Sequence, residues 1–252
     1  MEGRSGMKII FHEIFREVYD YDPAAAKGRI DCIYDELEGS YEFIEPLPAA
    51  ESDLLLVHGQ NHVDYVKSRG AIYDVAVFSA GGAVLAAELA VRGEPAFALI
   101  RPPGHHAGSH SSWGFCWFNN VAIAVEKQRR QGTINKVLIV DIDLHFGDGT
   151  KNIFEDTPCV SYYHLHSIDG LERFLAISKE CDLVAVSAGF DMHVKDWGLI
   201  LETQDYTTIG KMVANHARTF CGGRFFAVLE GGYNHRVLGK NVKALLDGFD
   251  LR

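Results

Sequence analysis

The 252-residue chain is long enough for one large α/β domain or two small ones, and 47% hydrophobic residues provide for a sizeable core, so a disordered chain is excluded. Its 24 Lys and Arg stand against 34 Asp and Glu; the formal charge of −10 argues against general attraction to nucleic acid or anionic membranes and favours cationic ligands. The five cysteines, Cys32, Cys116, Cys159, Cys181 and Cys221, are odd in number and scattered. With no Cys-x-x-Cys pair they suggest neither a disulfide framework nor a thiolate zinc site, and a reducing cytoplasm fits.

Residues 1–6 are polar, precede a second methionine and are set aside as a leader or vector-derived remnant, leaving 7–252 as one expected domain. Short apolar runs bounded by polar or glycine signals read as buried strands at Lys8 to Phe11, Ala96 to Ile100, Lys136 to Asp143, Leu183 to Ala188 and Phe225 to Leu229. Helical periodicity covers Ser79 to Arg92, Asn119 to Gln131, Asp205 to Phe220 and Arg236 to Phe249, with Gly93, Gly132 and Gly222 as stop signals. A further helix is expected over Asp22 to Glu38. Ala80 to Val91, the most apolar stretch, is interrupted by Glu88 and is too short to span a bilayer, so a soluble protein is expected. Alternation of strand and helix predicts a three-layer α/β/α domain with a mainly parallel central sheet, whose ligands bind beyond the carboxyl ends of the strands.

The chemistry-bearing residues stand at those ends. In Lys136-Val-Leu-Ile-Val-Asp-Ile-Asp-Leu-His145 an apolar strand ends in Asp141, Asp143 and His145 at every second position, which period two would place on one face. Burying them together is costly without compensation, and a divalent metal supplies it; a hydrogen-bonded strand end is the plain alternative. Asp191 ends a second strand, as third ligand or as helix N-cap; with Asp143 and His145 it would leave Zn²⁺ positions for water and substrate. After a third strand, Pro102, Pro103 and Gly104 turn the chain before the tandem His105 and His106, a proton-transfer pair or surface loop histidines. Asp141 and Asp148 are available to orient them. Gly231 and Gly232 project Tyr233, a hydrogen-bond donor for an oxyanion or a packed tyrosine.

In order, Arg101-Pro-Pro-Gly-His-His106, Gly114-Phe-Cys116, Asp141-Ile-Asp-Leu-His145 with Gly147-Asp-Gly149, Ser187-Ala-Gly-Phe-Asp191 and Gly231-Gly-Tyr233 resemble the histone deacetylase and acetylpolyamine amidohydrolase superfamily. The resemblance implies the arginase-deacetylase fold and hydrolysis of acetylated amines, with one Zn²⁺ per chain on Asp143, His145 and Asp191. It makes His106 the general base and acid, His105 its electrostatic partner, Asp141 and Asp148 their respective carboxylates, and Tyr233 the oxyanion donor. Gly114 and Phe115 would line the acyl tunnel, and Arg29 would lie near an internal cavity.

The chain departs from longer members in two places. Only Leu165 to Asp182 separate two strands that in longer members are joined by several dozen residues, so part of the rim is missing and Asp74 is the one candidate for a rim aspartate. His164-Leu165-His166 replaces a Ser-Leu-His that helps hold a structural K⁺, which could still bind through carbonyls around Asp141 to His145. The expected partner is an acetylated amine, a small cation or an acetyllysine side chain, without nucleic acid or membrane, and a homo-oligomer could close the open rim. Two other functions compete: a dinuclear arginase- or agmatinase-like ureohydrolase and a noncatalytic module that binds acetylated amines.

Overall fold

The computed structural model describes residues 6–250; of the expected leader only Gly6 falls within them. Seven strands form one sheet: β1 (Lys8–Ile10), β2 (Glu42–Ile44), β3 (Ala96–Ala98), β4 (Val137–Asp141), β5 (Val160–His164), β6 (Leu183–Ala188) and β7 (Phe225–Leu229). Their order is β2-β1-β3-β7-β6-β4-β5 and every pairing is parallel. The helices are α1 (Asp31–Leu37), α2 (Glu51–Leu54), α3 (Gln60–Lys67), α4 (Ala71–Val91), α5 (Asn120–Arg130), α6 (Asp148–Ile153), α7 (Ile168–Ile177), α8 (Thr203–Phe220) and α9 (His235–Asp250). Helices α4 and α5 pack together on the sheet, as do α8, α9 and α1, giving the three-layer architecture. The central strands β3, β4, β6 and β7 are buried throughout, which explains their continuous apolar runs.

The structure extends and corrects the sequence reading at several points. Helix α4 begins eight residues before the expected start. At 21 residues it is long and apolar enough to cross a membrane, but 72% of its most apolar window is buried inside the fold, as a core helix requires. Its glycines allow close packing: a Cβ on Gly81 would come within 2.0 Å of the Leu47 carbonyl oxygen. The helix expected over Asp22 to Glu38 is broken by Gly28, whose φ of 84° lies in the left-handed region, into a 3₁₀ turn at Pro23–Ala25 and α1. Edge strands β2 and β5 went unseen because β2 spans only three residues and β5 is half exposed. Gly93, Gly132 and Gly222 do stop their helices, with φ of 87°, 70° and 61°.

The cysteine reading is also corrected. Cys181, just before β6, and Cys221, the C-cap of α8, form a disulfide across a sequence separation of 40. Parallel topology carries α8 back to the amino end of the sheet, where it meets the entry to β6; spacing along the chain cannot show this. The cysteine count therefore no longer argues for a reducing compartment.

Candidate active site

Four strands that are neighbours in the sheet, β3, β7, β6 and β4, each send the loop at their carboxyl end to one place. From β3 come His105 and His106, from β4 Asp141 to Asp148, from β6 Asp191, and from β7 Glu230 to Tyr233. They meet around a cavity of about 140 Å³ lined by His105, His106, Gly114, Phe115, His145 and Tyr233, with Trp113 and Trp197 at its mouth.

The acidic corner is made by backbone curvature rather than strand period. Strand β4 ends at Asp141, and the chain then winds through hydrogen bonds from Asp143 N to Asp141 Oδ1 (3.1 Å) and from His145 N to Asp143 Oδ1 (2.9 Å). Asp143 Oδ2 accepts from Gly231 N at 2.8 Å, and Asp191 Oδ1 accepts from Leu144 N at 2.9 Å. The structure thus brings the expected residues together by winding of the chain and not by the period of a strand. Nor is Asp191 spent as a helix N-cap, for its Oδ2 lies 3.0 Å from His145 Nδ1.

Ligand atoms of Asp143, His145 and Asp191 all lie within 4.8 Å of one another. The set fits a divalent ion. Among the described residues Asp191 Oδ2 is buried with no well-formed hydrogen bond, only the His145 ring nitrogen 3.0 Å away, which makes it an acceptor of the kind a cation satisfies. Glycines keep the corner clear, since a Cβ on Gly189 would fall 2.2 Å and one on Gly231 2.5 Å from Asp143 Oδ2. Electrostatics agree. The hydrogen bond to Asp143 and the adjacent Asp191 carboxylate push His145 up to about 10, so two carboxylates already draw a positive charge into the corner. Burial, then the neighbouring Asp143, raises Asp191 to about 6. Two other groups of potential ligands occur among the described residues: Cys181, His216 and Cys221, whose sulfurs are bonded to each other, and the buried set His105, Cys116 and Glu230.

The tandem histidines differ in charge. His105 Nδ1 donates to Asp141 Oδ2 at 3.1 Å; burial opposes its charge, but Asp143 and Asp141 outweigh burial and hold it well above the usual histidine value. His106 lies the other way. Burial and the charged His105 lower its pKa despite a 2.7 Å bond from Nδ1 to Asp148 Oδ1, so near neutral pH it is an uncharged imidazole with Nε2 left as acceptor. Gly114, at a φ of 62°, lies against His106, where a Cβ would meet the ring Cδ2 at 3.2 Å. Phe115 meets the Tyr233 ring edge-on at 5.6 Å. Burial, then Asp143, raises the Tyr233 phenol well above its usual value, keeping it a donor.

Arg29 supports this wall. It is fully buried, donates from Nε to the Gly232 carbonyl (2.8 Å) and from Nη2 to the Glu230 carbonyl (2.5 Å), and faces the Tyr233 ring. The structure does not bring Asp74 to the cavity; it is exposed in the first turn of α4. Two carbonyls considered for a potassium ion each take one hydrogen bond, Asp143 O from His164 Nε2 at 2.9 Å and Asp141 O from Leu165 N at 2.8 Å, which leaves each a second lone pair.

Sequence reasoning missed several residues. Glu230 is fully buried and accepts from Gly104 N (2.6 Å) and His105 N (3.2 Å), tying β7 to the histidine loop; burial raises it to about 7. Tyr162 donates to Asp141 Oδ2 at 2.9 Å and accepts from Gly147 N at 2.9 Å. Alternation along β5 could have exposed Tyr162 and His164 together, whereas nothing local marks Trp113, Trp197 or Asp196.

Comparison with known proteins decides the family. The histone deacetylase domain matches residues 24–174 and 171–249. The chain belongs to the histone deacetylase family. Across 96% of its length it is 31% identical to a probable deacetylase of Methanothermobacter thermautotrophicus, covering 90% of that protein. It is 30% identical to a probable deacetylase of Archaeoglobus fulgidus, over 96% of this chain and 87% of the relative. The crystal structure of the HDA15 HD domain superposes with a TM-score of 0.84 at 26% identity, over 97% of this chain and 89% of that one. Two features agree with an abbreviated family member: the first alignment runs over 304 positions, more than this chain contains, and the domain match is split at 171–174, inside α7.

Proposed function

We propose that this protein is a zinc-dependent amidohydrolase that removes acetyl groups from amines. The observation carrying the reading is that one small cavity, with His145 in its wall, brings an Asp-His-Asp donor set beside a neutral imidazole and a protonated phenol. Asp143, His145 and Asp191 would hold the ion, which when bound would polarise the acetyl carbonyl and acidify water. His106 accepts the proton of the attacking water at Nε2 and returns it to the departing amine, while Asp148 keeps its Nδ1 proton in place. Tyr233 donates its hydroxyl to the carbonyl oxygen as negative charge develops there, and charged His105 adds to the field without moving a proton.

A dinuclear, arginase-like reading would need ligands beyond this set. His193, two residues after Asp191, is buried and committed to Thr203 Oγ1 (3.2 Å) and Lys195 N (3.1 Å), so it does not supply one. For the substrate we propose a small or flexible cationic acetylated amine. A net charge of −10 attracts it, and α7 follows β5 so closely that little rim remains to hold a peptide backbone.

Steady-state hydrolysis of acetylated diamines and acetyllysine peptides at several salt concentrations tests both claims. Expected are chelator-sensitive turnover and a preference for diamines that weakens with salt. Binding without turnover would support a noncatalytic module, and two equally occupied metal sites would support the ureohydrolase. Strong, salt-independent selection of one peptide sequence would overturn the substrate class.

A further inference from the structure

Two half-exposed indoles stand at the mouth of the cavity, one lying on His106, the proposed proton carrier, and the other on Tyr233, the proposed oxyanion donor. Trp113 is 55% exposed, yet its ring stacks on His106 with centroids 3.9 Å apart and planes 34° apart. Its Nε1 donates to Asp148 Oδ2 at 2.8 Å while the other oxygen of that carboxylate holds His106 Nδ1. Trp197 is 49% exposed and stacks on Tyr233 at 4.1 Å and 27°. Its backbone N donates to Asp196 Oδ1 (2.9 Å), and Asp196 Oδ2 accepts from Tyr233 N (2.8 Å) and Asn234 N (2.7 Å), so one carboxylate ties the two loops together.

Core packing does not account for either indole, since about half of each remains in water. Their placement does have a consequence for the chemistry. The Asp148 side chain is 39% exposed and would turn freely on one hydrogen bond, but bonds at both oxygens leave it a single orientation and His106 a single tautomer. Stacking likewise restricts rotation of the Tyr233 ring, whose hydroxyl must reach one point in the cavity.

We infer that Trp113 and Trp197 are paired positioning residues, the first locking the His106–Asp148 couple through its indole N–H and the second holding the Tyr233 ring by stacking. This rests on the deacetylase reading for its kinetic effect, though not for its structural one. The two indoles do different work, so conservative and severe substitutions separate them. Trp113→Phe keeps a ring over His106 and removes the donor; Trp197→Phe keeps the stack.

The test uses the zinc-loaded full chain with N-acetyl-1,4-diaminobutane as substrate. Trp113→Phe should lower kcat roughly tenfold, with KM within about twofold and metal content unchanged. Trp197→Ala should lower kcat by about five- to tenfold, and Trp197→Phe should restore most of it. A turnover-independent readout is the ring ¹⁵N spectrum of His106, expected to show one Nδ1–H tautomer in the wild type and a mixture in Trp113→Phe. Wild-type kcat and an unchanged spectrum in Trp113→Phe would overturn the role of the N–H, and a Trp197→Phe as impaired as Trp197→Ala would overturn the stacking role. An inactive wild type whose spectrum still responds to Trp113→Phe would instead refute the deacetylase reading and leave the positioning of His106 standing.

Discussion

The two ends of the sheet hold similar ingredients and leave them in different states. At the amino end Cys181, Cys221 and His216 come together, but the sulfurs are bonded to each other and the His216 ring rests 3.7 Å from Cys181 Sγ. At the carboxyl end Asp143, His145 and Asp191 come equally close, yet among the described residues Asp191 Oδ2 has no well-formed hydrogen bond, and the cavity opens beside its neighbour His145. Potential ligands gathered in a fold do not by themselves make a site. What separates the ends is whether the polar atoms are satisfied internally, which stabilises, or left for something to bind, which costs stability and makes chemistry available.

The sharpest way to break this contrast is Asp191→Ala. It should remove the metal and lower turnover by more than roughly a thousandfold, beyond the ~10²–10³ of a single oxyanion donor, as read by metal analysis and kinetics. Full metal content in that variant would take Asp191 out of the ligand set. Next in size, His106→Ala and Tyr233→Phe should each reduce turnover roughly a hundredfold or more with metal content intact. Near-normal rates in either folded variant would refute its role.

The amino end should behave in the opposite way. Cys221→Ser opens a 40-residue loop in the unfolded chain, so denaturant unfolding should show a loss of up to about 4 kcal/mol while kcat stays unchanged. A fall in kcat with stability intact would mean the two ends are not independent.

The smallest effect concerns protons. His145 is pushed up to about 10 and Asp191 to about 6. At pH 7 the metal must therefore displace a proton from His145, so titration calorimetry in buffers of different ionisation enthalpy should find about one proton released per ion. Because protons compete for the same atoms, metal affinity should rise with pH and reach its plateau near that histidine's value. Zinc uptake without proton release would contradict the arrangement of the corner.

Much of this was legible in the chain. Strand β6 and strand β7 coincide with their apolar runs, because a strand buried on both faces has no alternation to confuse its limits. The site residues were legible because costly groups, Asp141, Asp143, His145 and Asp191, stand where apolar runs end, and their order is specific to a family. Edge strand β5 was hidden by its half-exposed surface, and with it Tyr162 and His164, which brace Asp141 and Asp143.

What the sequence by itself determined is therefore the list of chemical groups and the strand ends that carry them. The tertiary structure alone decided their partners. Strand order sets β3, β7, β6 and β4 side by side, so His105 meets Asp141 from 36 residues away and Gly231 N reaches Asp143 from 88. It also decided the charge of each histidine, which depends on burial and on carboxylates brought in from other loops: His105 is held charged and His106 neutral although they are adjacent in the chain. Hydrogen bonding and desolvation are properties of distances in space, and local sequence carries no record of them for Trp113, Trp197 or the Cys181–Cys221 pair.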